Sequence, residues 1–213
     1  MNRELEKPRK DLLMIFTRPP VLGKVKTRLA ADIGDEAALN IYNFLLKHTV
    51  SVTQDLEVVE QVYYSEEIIE NDIWDNDHYE KKLQRGNDLG ERMQNAFEHG
   101  FSNGFENIII IGSDLFDLCR EDLEKAFGLL QDHDFVIGPA EDGGYYLLGM
   151  KRMLPQLFRN KDWGTSAVFK ETVEDLREEN VAYLEYRNDI DVYDDIKGKK
   201  GFQQFLKVKN DNA

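Results

Sequence analysis

Residues 107–118, with the sequence NIIIIGSDLFDL, decide the fold of this chain. Their four consecutive isoleucines form the most β-prone run in the protein and predict a buried central strand. Two carboxylates, Asp114 and Asp117, follow that strand directly. In open α/β sheets, ligands bind at the carboxyl ends of the strands. The stretch therefore predicts a central strand with a candidate site at its end.

Six further strands are predicted around this one, at residues 12–17, 56–64, 79–83, 135–138, 145–150 and 181–185. Apolar residues at helical spacing predict a helix after Gly34 and helices near 123–130, 168–176 and 190–206. Asp88 and Glu91 give the capping-box start of another helix, whose buried face is predicted to include Leu89. One short helix is expected within residues 65–84.

Strands that alternate with helices predict an α/β fold. We expect a single Rossmann-like domain over residues 1–213, with a mostly parallel, doubly wound sheet and helices on both faces. Residues 1–10, which are strongly charged, are expected to be flexible.

Acidic residues dominate the composition. The 213 residues include 27 Lys and Arg against 41 Asp and Glu, a net charge of −14. Such a surface repels phosphate backbones and anionic lipid, which argues against nucleic acid as a partner. No apolar run approaches the roughly 18 residues of a membrane helix, and the charged N-terminus lacks a signal core. A lone cysteine, Cys119, fits a reducing cytoplasm, where we expect the protein to reside.

Residues 18–28, RPPVLGKVKTR, form a basic loop after the first predicted strand. Gly23 bends this loop, which contains no acidic residue and whose basic residues are Arg18, Lys24, Lys26 and Arg28. Such a loop supplies positive charge and backbone N–H groups to a diphosphate. It is not a P-loop, because GxxxxGK[ST] is absent. From charge alone, a solvated loop that pairs with nearby carboxylates is an equal alternative.

Asp114 and Asp117 are candidate ligands of Mg²⁺ or Mn²⁺, since one or two carboxylates with substrate phosphates usually hold Mg²⁺. A carboxylate after four isoleucines has to find a cation or donors, which favours this interpretation for Asp114. Asp117 is equally well explained as a turn or helix-cap residue. A weaker candidate is the pair Asp189 and Asp191, which either return to the metal or form a solvated acidic run.

Residues 138–149, GPAEDGGYYLLG, place an acidic pair before two glycines. Asp142 is a candidate general base, and Gly143 and Gly144 allow close approach of the backbone to a ligand. From composition alone, a plain acidic turn explains DGG better. Trp163, in WGTS, forms either a pocket wall or a buried helix entrance.

Taken in order, these segments resemble the sequence blocks of a bacterial family of GT-A-type glycosyltransferases. The blocks are FTRPPVLGKVKTRL, GNDLGERM, IIGSDLFDL, GPAEDGGYYLLGM, DWGTS and NDID, and they span about residues 12–196. Some members of the family are linked with arsenosugar biosynthesis. The family is distantly similar to 2-phospholactate and molybdenum-cofactor guanylyltransferases.

The resemblance implies a GT-A fold, the nucleotide-diphospho-sugar transferase fold, in which the basic loop contacts the phosphates. It implies that Asp114 binds the metal and that Asp191 completes the metal site. The GNDLG block would lie near the base or ribose, with Gly86, Asn87 and Gly90 as its candidate contacts. The acceptor-side loop would consist of Asp142, Gly143, Gly144 and Tyr145. The family's Cys-Pro after the metal-binding Asp is replaced here by Leu115 and Phe116, so the loop shape is expected to differ.

Three functions from different classes follow. The leading hypothesis is metal-dependent transfer of a sugar from a nucleoside diphosphate sugar to a small-molecule acceptor. The alternative is a nucleotidyltransferase that uses a nucleoside triphosphate and a phosphorylated small molecule, for which four basic residues in one loop are suited. A non-enzymatic nucleotide- or metal-sensing module is disfavoured, because its acceptor-side loop would have no task. A homodimer is compatible with the sequence.

Overall fold

The structure is a computed structural model and describes residues 10–206. Residues 1–9, part of the segment predicted to be flexible, and residues 207–213 lie outside the described range. Seven strands form one sheet in the order β3-β2-β1-β4-β6-β5-β7. They are β1 (Asp11–Thr17), β2 (Val59–Tyr64), β3 (Glu80–Leu83), β4 (Asn107–Gly112), β5 (Phe135–Pro139), β6 (Tyr145–Met150) and β7 (Val181–Tyr183).

Most neighbouring strands run parallel, as predicted. β1 pairs in parallel with β2 and β4, β2 with β3, and β5 with β7. Only β6 runs antiparallel, between β4 and β5. The sheet grows to one side through β2 and β3 and to the other side from β4 onward. Such a reversal leaves a crevice at the carboxyl ends of the two central strands, here β1 and β4.

Helices cover both faces of the sheet. They are α1 (Thr27–Ile33), α2 (Asp35–Thr53), α3 (Leu89–Ser102), α4 (Arg120–Asp132), α5 (Val168–Asp175), α6 (Tyr193–Ile196) and α7 (Gln203–Leu206), with 3₁₀ turns at Pro155–Phe158 and Lys200–Phe202. None of the helices within residues 10–206 is long and apolar enough to cross a membrane. The cytoplasmic location stays a prediction.

β1 shows why the sheet needs helices on both sides. Its side chains alternate between two cores, so that Leu13 and Ile15 pack with residues of α2 and α4. Leu12 and Met14 point the other way and pack with residues of α3. All four side chains are completely buried. A strand buried on both faces is typical of doubly wound α/β folds, and the predicted fold class is confirmed.

Three local predictions were wrong. The basic loop does not run to Arg28, because α1 begins at Thr27. Residues 65–79 contain no helix, and the segment is held instead by the Lys81 ammonium, which donates to the carbonyls of Ile69 and Glu70. Leu89, predicted to be buried, is 44% exposed at the start of α3.

Candidate functional site

An open cleft of about 700 Å³ lies at the carboxyl ends of β1 and β4. It is the crevice that the reversal of strand order creates. Seven of the predicted site residues line it: Arg18, Lys24, Lys26, Arg28, Asp114, Asp142 and Asp191. These residues come from four segments far apart in sequence. The fold therefore brings the basic loop, the end of β4 and the two later acidic segments to one place.

Buried hydroxyl groups hold the floor of the cleft. The Ser113 hydroxyl donates to the Thr17 hydroxyl oxygen at 3.0 Å, which ties the end of β4 to the end of β1. The Tyr42 hydroxyl accepts from the Arg18 N–H at 3.0 Å, and Thr49 donates to the Ser113 carbonyl at 3.1 Å. Because Tyr42 and Thr49 belong to α2, the strand ends are fixed both to each other and to this helix.

Lys26 and Asp114 form the central contact of the cleft. The Lys26 ammonium donates to Asp114 Oδ2 at 2.8 Å. The Lys26 side chain is 5% exposed, whereas the Asp114 side chain is 39% exposed. Asp114 thus keeps part of its carboxylate open to the cleft while Lys26 is enclosed.

The backbone of Lys26 adopts the left-handed conformation, with φ 48° and ψ 44°. This conformation is uncommon for a residue with a Cβ atom, and backbone outliers of this kind cluster at functional sites. Lys26 precedes α1 and has no side-chain capping bond there. The strained turn instead directs the Lys26 side chain to Asp114.

The ion pair shifts both pKa values in the direction that keeps the groups charged. Burial acts to lower the pKa of Lys26, but the charge and hydrogen bond of Asp114 outweigh it and raise that pKa. Burial acts to raise the pKa of Asp114, but Lys26 outweighs it and the pKa falls below its ordinary value. Arg18 contributes to that lowering through its charge.

Asp189 is the acidic residue of the cleft that the sequence placed only among weaker candidates. It lines the cleft beside Asp114 and Asp142. Burial raises the pKa of Asp189 to about 6, and the charges of Asp114 and Asp142 add to the effect, while Lys26 opposes it. Several carboxylates therefore crowd one region of the cleft.

The segment containing Asp189 is held in place by backbone and side-chain contacts. Arg187 forms an isolated parallel bridge with Ala140, just beyond β5. The Asp195 carboxylate accepts from the N–H groups of Asp191 and Val192, at 2.8 and 2.7 Å. The late acidic residues thus return to the cleft along the edge of β5.

Lys24, in the loop, and Arg28, in the first turn of α1, are exposed and have carboxylate partners. Arg28 donates to Asp191 at 3.0 Å, and Lys24 lies 3.4 Å from Glu66. The Arg28 and Lys24 side chains are 73% and 60% exposed, so each of these pairs is worth little. Gly23, with φ 75°, forms the turn of the loop and does not line the cleft.

The acidic turn places Asp142 at the rim of the cleft. Asp142 is exposed, and its carboxylate accepts from the Gly144 N–H at 2.8 Å. Gly143 has φ 90°, and a Cβ atom there would lie 2.4 Å from the Ser166 carbonyl oxygen. Gly143 is thus required because its backbone approaches another loop of the protein closely, at Ser166. Gly143, Gly144 and Tyr145 are not among the described residues that line the cleft.

The GNDLG block forms the N-terminus of α3. The Asp88 carboxylate caps the helix by accepting from the Glu91 N–H at 2.9 Å. The Glu91 carboxylate accepts from the N–H and the side-chain amide of Asn87, at 2.8 and 2.9 Å. Gly86 has φ 141°. The block brings Asp88 and Leu89 to the cleft, and not Gly86, Asn87 or Gly90; Arg92, two residues after the block, also lines the cleft.

Trp163 packs against the same helix start. A Cβ atom at Gly90 would lie 2.5 Å from both the Trp163 indole nitrogen and the Phe158 carbonyl oxygen. Gly90 is therefore required by packing. Trp163 does not line the cleft, although its neighbour Gly164 does.

Asp117 lies outside the cleft. Its carboxylate accepts from the Lys199 ammonium at 3.0 Å. Phe116, one of the two residues that replace the family's Cys-Pro, packs against Phe44 and Phe202, with ring centroids 5.6 and 4.8 Å away. The altered loop therefore anchors the C-terminal helical segment, and Asp114 keeps its place in the cleft.

No three His, Cys, Asp or Glu side chains in the described range form a ready-made metal site. Asp114 is hydrogen-bonded to Lys26 and Asp191 to Arg28, so these two carboxylates of the cleft are paired with basic side chains. Asp189 makes no ion pair with another described residue.

Comparisons with known proteins agree with the fold. The family model described as "Uncharacterized protein conserved in bacteria (DUF2064)" matches residues 49–165. The crystal structure of a "putative nucleotide-diphospho-sugar transferase" from Desulfovibrio desulfuricans G20 is 29% identical and has a TM-score of 0.80. That alignment covers 92% of this chain and 91% of the other. The predicted resemblance to the nucleotide-diphospho-sugar transferase fold is thereby confirmed, and the family model shows the family as DUF2064.

Two other relatives are more distant. A 2-phospho-L-lactate guanylyltransferase from Methanocaldococcus jannaschii is 26% identical over 166 residues, which are 78% of this chain and 70% of that protein. A manganese complex of Rv0371C from Mycobacterium tuberculosis H37Rv has a TM-score of 0.55 at 13% identity. That alignment covers 93% of this chain and 99% of the other, and it shows a shared fold alone.

Proposed function

This chain belongs to the DUF2064 family, and we propose that it is a nucleotide-dependent transferase whose active site is the cleft at the ends of β1 and β4. The observation behind this proposal is the convergence of Lys26, Arg18 and Asp114 in that cleft. Basic side chains and loop N–H groups suit the phosphates of a nucleotide. Arg18 makes no ion pair with another described residue, so its guanidinium is available for a ligand.

A divalent metal fits the acidic side of the cleft. Asp114 and Asp189 would hold Mg²⁺ or Mn²⁺, since one or two carboxylates with substrate phosphates are enough for such an ion. The crowding of carboxylates that raises the pKa of Asp189 is the observation that supports a cation there. When bound, the ion would supply positive charge to the phosphate groups. Asp191, also in the cleft, is the other candidate ligand.

Glycosyl transfer is the specific reaction that we favour. The relative with the Desulfovibrio structure, described as a nucleotide-diphospho-sugar transferase, supports this choice. An acceptor hydroxyl oxygen would form a bond to the anomeric carbon, and the bond from that carbon to the diphosphate oxygen would break. The nucleoside diphosphate would leave with the bonding electrons. Lys26 and Arg18 would stabilise the negative charge that grows on it.

Asp142 would act as the general base in an inverting reaction. Its carboxylate is exposed at the rim of the cleft, where an acceptor can enter. It would take the proton of the acceptor hydroxyl as the new bond forms. The hydrogen bond from the Gly144 N–H keeps this carboxylate oriented.

Nucleotidyl transfer is the second candidate, favoured by the similarity to the guanylyltransferase. In that reaction an oxygen of the acceptor's phosphate attacks the α-phosphate of a nucleoside triphosphate, and pyrophosphate leaves. No general base is required, and Arg28, Lys24 and Lys26 would cover the longer phosphate chain.

Product analysis separates the two reactions. The protein is incubated with Mn²⁺ and either nucleotide sugars or nucleoside triphosphates, together with pools of sugar and phosphorylated acceptors. Release of UDP or GDP that depends on the acceptor supports glycosyl transfer, and release of pyrophosphate supports nucleotidyl transfer. Absence of both products from a protein that shows no thermal stabilisation by any nucleotide would contradict the proposed class.

A further inference from the structure

A second cavity, of about 670 Å³, lies between the edge strand β3 and α3. Its lining comes from both elements, from the turn between them, from Tyr63 of β2 and from Ile68. The side chains that line it include Tyr63, Leu83, Arg85, Arg92 and His99. Arg92 lines both this cavity and the cleft, so the two are neighbours.

The charged side chains that line this cavity are basic, whereas the chain as a whole is acidic. No Asp or Glu is among the described residues that line it, although the chain has a net charge of −14. Lys82 is paired with Glu80 at 3.2 Å. Arg85 and Arg92, in contrast, form no ion pair with any carboxylate of the described range. Two guanidinium groups on one wall therefore lack a negative partner.

Hydrogen bonds position the backbone and side chains around these arginines. Arg92 is half-buried, and its Nε donates to the Gly86 carbonyl at 3.2 Å. The terminal nitrogens of Arg92 remain free for a ligand, since Arg has five N–H donors. The Asn95 amide donates to the Arg85 carbonyl at 2.8 Å, which fixes the turn that carries Arg85.

Apolar side chains form the rest of the lining that the proposal uses. Leu83 and Ile68 are 41% and 38% exposed, which is high for large aliphatic residues. Tyr63 and Ala96 also line the cavity and are buried. Exposed apolar side chains beside unpaired cations are typical of a site for a ligand that has both an apolar body and a negative charge.

We propose that this cavity binds a small amphipathic anion, an organic phosphate or carboxylate with an apolar body. The anionic group would contact Arg85 and Arg92 through charge-assisted hydrogen bonds, and the apolar body would cover Leu83 and Ile68. Nothing in this inference depends on the reaction in the cleft. The ligand class follows from the charge complementarity and from the apolar lining.

Calorimetry with 1-naphthyl phosphate tests the proposal on the full chain. The wild type is compared with Arg85→Gln and with Lys125→Gln, a matched change of an exposed basic residue on α4, away from the cavity. We expect Arg85→Gln to weaken binding about tenfold, because a charge-assisted hydrogen bond is lost. Lys125→Gln should leave the affinity unchanged. Arg85 is exposed, so its substitution is not expected to affect folding.

Three outcomes would overturn the proposal. One is an affinity of Arg85→Gln equal to that of the wild type. Another is 1-naphthol binding as tightly as 1-naphthyl phosphate, since the anionic group would then be irrelevant. The third is a loss of binding in Arg28→Ala and not in Arg85→Gln, which would place the probe in the cleft. Weaker binding of the probe by Arg85→Gln, with unchanged binding by Arg28→Ala, supports the second site, whatever reaction the cleft performs.

Discussion

The Lys26 ammonium lies 2.8 Å from Asp114 Oδ2 and closes the floor of the cleft between the basic loop and the end of β4. The contact is asymmetric, because Lys26 is enclosed and Asp114 is partly open. Lys26 reaches it from a left-handed backbone conformation, which costs on the order of 1–3 kcal/mol. A bound phosphate would give the Lys26 ammonium an anionic partner in place of Asp114. A bound divalent cation would give the Asp114 carboxylate a cationic partner in place of Lys26. In the proposed function, this ion pair keeps the proposed phosphate-binding group, Lys26, and the proposed metal ligand, Asp114, together before a ligand enters.

Lys26→Ala should weaken binding of a nucleoside diphosphate by tenfold or more and leave binding of the nucleoside unchanged. The reason is that a charge-assisted hydrogen bond to phosphate is worth about 1.5–3 kcal/mol. Lys125→Ala is the control, since Lys125 is an exposed basic residue on α4 that does not line the cleft. Calorimetric titrations of both variants with both ligands provide the comparison. An equal loss for nucleoside and nucleoside diphosphate would show that Lys26 does not contact phosphate.

Asp142→Asn should lower turnover by about 10²–10⁴-fold, because a general base typically contributes that much. Donor affinity should stay near the wild-type value. Glu141→Gln, an exposed change in the same turn, should have a much smaller effect. Steady-state rates with a genuine acceptor, measured beside donor binding, distinguish the two residues. Full activity of Asp142→Asn would show that Asp142 only stabilises the turn and is not a general base.

Gly90→Ala should destabilise the protein by about 1–3 kcal/mol, because its Cβ atom would overlap the Phe158 carbonyl and the Trp163 indole. Gly128→Ala, on the open side of α4, meets no atom within 4 Å and should stabilise by about 0.5–1 kcal/mol. Urea denaturation of the two variants measures both effects. A stabilised Gly90→Ala would mean that Trp163 does not pack against the start of α3.

The Asp122–Arg187 ion pair makes stability depend on pH. Arg187 donates to both Asp122 oxygens, at 2.8 and 3.0 Å. Burial acts to raise the pKa of Asp122, but the hydrogen bonds from Arg187 and Cys119 outweigh it, so the folded-state pKa is lowered. A carboxylate of lowered pKa stabilises the fold above its unfolded pKa, about 3.9, and loses that contribution as pH falls through the folded value.

Asp122→Asn should therefore lower the free energy of unfolding at pH 7 by about 1.5–3 kcal/mol. The difference from the wild type should shrink as pH falls below about 4, because the unfolded Asp122 carboxylate then takes up a proton while the folded one stays charged to lower pH. Glu124→Gln, an exposed change on the same helix, serves as the control. Denaturation at several pH values between 3 and 7 measures the effect. A difference that stays constant over this range would contradict the assignment.

The centre of the sheet could be predicted because its strands β1 and β4 are largely apolar runs. Asn107–Gly112 and Asp11–Thr17 are buried on both faces, and sequence alone distinguishes such runs from loops. α1 was missed because it has seven residues, a single buried side chain at Leu29 and no side-chain cap at Lys26. Neither a periodic pattern nor a capping signal marks so short a helix.

The position of the cleft was also predictable, because the ends of adjacent parallel strands meet at one edge. It was harder to predict from the sequence which carboxylates face the cleft. Asp117 pairs with Lys199, 82 positions away, and Asp189 returns to the cleft along β5. Such long-range contacts leave no local pattern in the sequence. The roles of Gly90 and Gly143 were likewise hidden, because packing against distant residues makes the glycines necessary.

The most direct test of this account is calorimetric titration of Asp114→Ala and Asp117→Ala with a nucleoside diphosphate, with and without Mn²⁺. The two aspartates lie in the same loop, but only Asp114 lines the cleft. We predict that Mn²⁺ strengthens nucleotide binding to the wild type and to Asp117→Ala, and that this enhancement is lost in a folded Asp114→Ala. Enhancement of nucleotide binding by Mn²⁺ that persists unchanged in Asp114→Ala would contradict the account.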